Sequence, residues 1–109
     1  IKQGIRNFRQ NTHDNEGIFR TMTNPREEVL YRAAELIGGD RQDDYGDAEV
    51  NFGNIAKGWS IILGCDVKPH QVALCMDWLK TARLINQPGH EDSWTDKAGY
   101  VGLGWELTK

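Results

Sequence analysis

Asp92 and Asp96 stand four residues apart, with Glu91 directly before them. If a helix begins at or before Asp92, the two carboxylates lie one turn apart on the same side. Such a pair suits Mg²⁺, which takes oxygen ligands and is usually held by one or two protein carboxylates, with water and substrate phosphate completing its octahedron. The helix dipole favours acids in a first turn whatever the function, so the spacing also has a purely structural explanation. Asp77 is a third candidate ligand, in a segment that also carries Lys80 and Arg83, cations suited to neutralising phosphate. The same side chains could instead close on carboxylates of neighbouring helices as a structural ion-pair network.

A second concentration of charge lies in the eight residues 40–47, where Asp40, Asp43, Asp44 and Asp47 accompany Arg41 and Tyr45. Arg41 is a candidate phosphate contact, and Asp43, Asp44, Tyr45 and Asp47 form a candidate substrate or partner loop. Asp47 taken alone is better explained as the cap of the helix that follows.

Other chemistries find no support. His13, His70 and His90 are scattered without zinc-ligand spacing and suit surface or capping positions. Cys65 and Cys75 have no CxxC spacing and are expected as reduced thiols, Cys75 among core residues. No GxxxxGK[ST], GxSxG or strand-linked GxGxxG occurs, so a phosphate-binding P-loop, a serine nucleophile elbow and a dinucleotide fold are not indicated.

These groups depend on helices for their placement. The stretch from Val72 to Ile85 is apolar on nearly every side: Val72, Cys75, Met76, Leu79 and Ala82 form one stripe, and Leu74, Trp78 and Ile85 another. A helix apolar all round is expected to be central and buried. Asp77, Lys80 and Thr81 occupy its narrow polar sector, with Arg83 at the edge of the apolar stripe. An earlier helix starts at Asn24-Pro25-Arg26-Glu27-Glu28, where Asn caps and Pro suits the first turn, and it ends at Gly38-Gly39. Another runs from about Ala48 to Leu63, with Phe52, Ile55, Ala56, Trp59 and Ile62 as its stripe and Gly64 as its stop. Gly53 and Gly58 inside it imply close packing against another backbone. The last helix follows Asp92 or Ser93 as cap and presents Ala98, Gly99 and Gly102 as a small-residue surface for a close helix neighbour. No stretch alternates like a strand, so the fold class is all-α: a compact antiparallel bundle of about four core helices, residues 24–109, with an N-terminal arm over 1–23.

The whole chain sets further bounds. Its 109 residues, 27% charged and 39% hydrophobic, suit one soluble domain. The net charge of −3 divides into +2 for residues 1–23 and −5 for the rest. That acidic body lacks the basic stripe of a general nucleic-acid binder and is compatible with a divalent cation. No apolar run approaches a membrane span, and Ile1-Lys2-Gln3-Gly4 lacks a signal-peptide core, so the expected location is the cytoplasm.

Together, Arg41-Gln42-Asp43-Asp44-Tyr45-Gly46-Asp47, Leu79-Lys80-Thr81-Ala82-Arg83 and Asp92-Ser93-Trp94-Thr95-Asp96-Lys97-Ala98-Gly99-Tyr100 resemble a family of small proteins from tailed phages and prophages. The resemblance covers about Val29 to Glu106. It implies a phage-encoded protein acting in the host cytoplasm. A more distant likeness is to the all-α nucleotide pyrophosphohydrolases of the MazG-like kind, oligomeric helical proteins that hold Mg²⁺ on helix carboxylates. That likeness implies Mg²⁺ at Asp92, Asp96 and Asp77, with Lys80, Arg83 and Arg41 on nucleotide phosphates. The chain departs from it where an ExxE pair is usual, since Phe52 stands three residues after Glu49. Two functional expectations follow: a Mg²⁺-dependent nucleotide pyrophosphatase or nucleotide-binding protein, or a non-catalytic accessory protein that binds a host enzyme or defence component. A homo-oligomer built across the glycine-lined last helix is a third, structural expectation.

Overall fold

A computed structural model describes residues 24–38 and 47–109. The arm over 1–23 and the loop residues Arg41, Asp43, Asp44 and Tyr45 lie outside them. The described residues form four helices and no strand: α1 (Pro25–Gly38), α2 (Ala48–Leu63), α3 (Pro69–Asn86) and α4 (Glu91–Leu107). The all-α bundle expected from the sequence is the fold.

Local chemistry sets the helix ends. The Asn24 side-chain oxygen accepts from Arg26 N at 3.1 Å, capping α1 ahead of Pro25. Asp47 accepts from Glu49 N at 3.0 Å and caps α2 as expected. Gly64 ends α2 at φ 70°, a left-handed conformation that glycine adopts without a Cβ clash, and its N–H donates to Ser60 O. The Ser60 hydroxyl donates to Ala56 O and accepts from Val67 N at 2.8 Å, tying the α2–α3 connection back onto the helix. Lys68 N donates to Gln71 Oε1 at 2.8 Å before Pro69 opens α3. The α4 cap differs from the expected Asp92 or Ser93. His90 takes that position, with Nδ1 accepting from Ser93 N, so the helix starts at Glu91 and includes both aspartates.

The helices pack in the order α1, α4, α3, α2. The short link Gln87–His90 makes α3 and α4 an antiparallel hairpin. Their contacts run in opposite directions along the chain, with Ala73 against Gly104, Asp77 with Lys97, Lys80 with Asp96, and Arg83 with His90. Glycine lets α4 sit this close. A Cβ on Gly99 would fall 3.2 Å from Ile37 of α1, one on Gly102 would fall 3.0 Å from the same side chain, and one on Gly104 would fall 3.2 Å from the Ala73 methyl. Gly99 and Gly102 of the small-residue surface read from the sequence therefore receive Ile37 of α1 within the chain. Phe52 of α2 reaches Tyr100 of α4 in a tilted pair with ring centroids 6.4 Å apart.

Two expectations about burial are overturned. Only one side of α3 is covered: Val72, Ala73 and Leu84 are buried, whereas Leu74, Cys75, Trp78, Leu79 and Ile85 are exposed. Among the described residues, α4 and α2 pack on one side of α3 and the other is open, which leaves Cys75 a free surface thiol. Within α2, Gly53 and Gly58 have no atom of the described residues within 4 Å of an added Cβ, so neither marks a close approach of another described helix.

Candidate functional site

The α3–α4 hairpin brings together three of the candidate residues, Asp77, Lys80 and Asp96, with Lys97. Lys80 Nζ lies 3.0 Å from Asp96, and Lys97 Nζ lies 2.6 Å from Asp77. The two pairs cross between the helices in opposite senses, because an acid and a base stand three apart on α3 and adjacent on α4. Lys97 also donates to Thr81 Oγ1 at 2.8 Å, and Thr81 donates to Asp77 O, so the second pair is a small network. These side chains are between 17% and 30% exposed, sheltered enough that each charge needs its partner.

The remaining predicted residues are dispersed. Asp92 lies exposed in the first turn of α4, one turn before Asp96. Arg83 is exposed, with Nη2 3.3 Å from His90 Nε2. His90 also meets the fully buried Ser93 hydroxyl at 2.7 Å, so the ring links the end of α3 to the start of α4. Asp47 is committed to its cap. Among the described residues no group of three or more His, Cys, Asp or Glu is placed to hold a metal ion. Asp96 and Asp77 each face an ammonium group, and Asp92 lies exposed one turn before Asp96.

A feature the sequence did not reveal lies on the other side of α4. Between α1, α4 and the Pro88-Gly89 turn is an open groove of about 610 Å³. Val29, Leu30, Trp94, Ala98 and Val101 supply its apolar lining, while Arg26, Glu28, Glu91 and Lys97 contribute charge. Trp94 is held by a 2.8 Å hydrogen bond from Nε1 to Pro88 O, yet it remains 46% exposed. Arg32 bridges Glu28 of α1 and Glu91 of α4, linking the two helices that border the groove. The available signal was the i, i+4 apolar pair Trp94 and Ala98, but assigning it to a groove requires knowing that α1 lies beside α4.

Residues 28–108 match the model of DUF6378, a domain of unknown function. The chain belongs to this family. Among its relatives, the Gene 55 protein of Mycobacterium phage L5 is 41% identical over 76 residues, covering 69% of this chain and 49% of the relative. The Gene 55 protein of Mycobacterium phage D29 is 40% identical over 76 residues, covering 70% of this chain and 50% of the relative. The chain thus spans about half the length of these relatives. No solved structure matches it. Membership in DUF6378 and these relatives support a small helical phage protein. Among the described residues no helix is long and apolar enough to cross a membrane.

Proposed function

We propose that this DUF6378 chain is a non-catalytic phage accessory protein that captures a host enzyme or defence component in its α1–α4 groove. The observation that carries the reading is the closure of Lys80 on Asp96 and Lys97 on Asp77, which commits the nearest candidates for metal and phosphate binding to each other. The groove adds support, since Leu30, Trp94 and Val101 are 56%, 46% and 60% exposed on one concave surface. An amphipathic helix laid in such a groove would bury its apolar side while meeting Arg26 and Glu91 with charge. A partner contact over 40–47 belongs to the same proposal, with Asp43, Asp44 and Tyr45 as its residues.

The test is capture from host lysate by the parent chain and by Leu30→Glu and Val101→Glu, each checked for helicity. Capture of a discrete protein by the parent and loss of it in both folded variants is the expected result. Equal capture by all three would overturn the groove as the binding surface.

The Mg²⁺-dependent nucleotide reading is the rival, favoured by one observation: Asp77, Lys80, Asp96 and Lys97 do converge on one helix crossing. It requires the ion pairs to open so that Asp92, Asp96 and Asp77 turn to metal and Lys80 and Arg83 to phosphate. Calorimetric titration with Mg²⁺ and then nucleoside triphosphates decides it. Metal-dependent nucleotide binding that disappears in Asp92→Asn plus Asp96→Asn would replace the accessory reading with this one.

A further inference from the structure

The outer face of α3 is apolar, exposed and without charge. At 100° per residue, Leu74, Cys75, Trp78, Leu79, Ala82 and Ile85 fall within a sector about 140° wide. Leu74 is 61% exposed, Trp78 69%, Leu79 51% and Ile85 77%. Gln71 and Asn86 share the sector at its two ends, so its polar groups flank the apolar span rather than interrupt it. Monomeric surfaces rarely present an apolar patch of this kind without a partner.

From this face we infer that the chain forms a homodimer, with α3 packed antiparallel against α3 of a second copy. The pattern is self-complementary about a point near Leu79. A two-fold there sets Leu74 against the partner's Ile85 and seats the Trp78 indole over the partner's Ala82, the smallest side chain in the span. Gln71 and Asn86 then border the contact at both ends. A face without charge offers nothing for a charged partner to recognise, whereas a two-fold repeats the same apolar patch on both sides. The four large side chains present on the order of 500 Å² per chain, so mutual coverage removes about 1,000 Å², the size at which specific interfaces begin. The groove between α1 and α4 is lined by other residues and stays open in this dimer.

Sedimentation equilibrium of the full chain tests the assignment. The parent is expected at twice 12.4 kDa. Trp78→Glu is expected to be monomeric, with its dissociation constant raised at least about 30-fold and its helicity retained, because the indole makes little contact within its own chain. Leu74→Glu alone and Ile85→Lys alone are expected to weaken the dimer in the same way. Combined in one chain they are expected to restore it in part, since the register sets the new acid opposite the new base. A parent that stays monomeric at its highest soluble concentration overturns the inference, as does a dimer that persists in folded Trp78→Glu. A double variant no stronger than the single ones overturns the register.

Discussion

The two sides of α3 both carry large apolar residues and differ in what they touch. On one side Val72 is fully buried, Leu84 is 6% exposed, and Asp77 and Lys80 find opposite charges on α4. On the other, Leu74, Trp78 and Ile85 lie open. The lesson is that an apolar helix face states a need for cover and does not name what supplies it. The inner side is covered by α4, whose Gly104 permits close approach to Ala73. Among the described residues, no other helix covers the outer side.

The largest test of that contrast is a pair of adjacent truncations. Leu84→Ala is expected to lower unfolding free energy by about 2–4 kcal/mol, the cost of lost burial plus a cavity. Ile85→Ala, measured in the monomeric Trp78→Glu background, is expected to change it by no more than about 0.5 kcal/mol, as for an exposed site. Urea unfolding compares them directly. Similar losses would mean that the outer side is packed within the chain and would break the contrast.

A smaller effect probes the charges on the inner side. Lys97→Met leaves the part-buried Asp77 carboxylate without its ammonium partner, and a loss of about 1–2 kcal/mol is expected. Adding Asp77→Asn is expected to recover part of it, because the second change removes the stranded charge. Strictly additive losses across the four proteins would show that the pair is not coupled.

The smallest effect sharpens the same contrast on glycines. Gly58→Ala, with open space around its new methyl, is expected to gain about 0.5–1 kcal/mol from helix propensity. Gly104→Ala is expected to lose stability, since its methyl meets the Ala73 methyl at 3.2 Å and that neighbour is fixed to its backbone. Thermal melts that move in the same direction for both would contradict the packing assigned to α4.

Much of the fold was legible because it rests on local rules. Pro25, Asp47, Gly64 and Pro69 punctuate the chain where the helices start and stop, and apolar spacing of three and four marks what lies between. The α4 cap was misread because histidine is a less common cap than Asp or Ser, and its role depends on Ser93 and Arg83 being at hand. Of the candidate site, the sequence marked Asp77, Lys80 and Arg83 as charges that could close in ion pairs, and Asp96 as a candidate metal ligand. Lys97 was passed over, although it completes the network with Asp77 and Thr81.

By itself the sequence determined the all-α class, the bounds of α1 and α2 and the small-residue surface of α4, all set by backbone preferences and by side-chain periodicity along one segment. Which carboxylate faces which ammonium, that Gly99 and Gly102 receive Ile37 while Gly53 and Gly58 receive nothing, and which side of α3 is left open were decided only by tertiary structure. The physical reason is that each of these depends on the distance and angle between two helices, and those follow from how all four pack together rather than from the residues of any one of them.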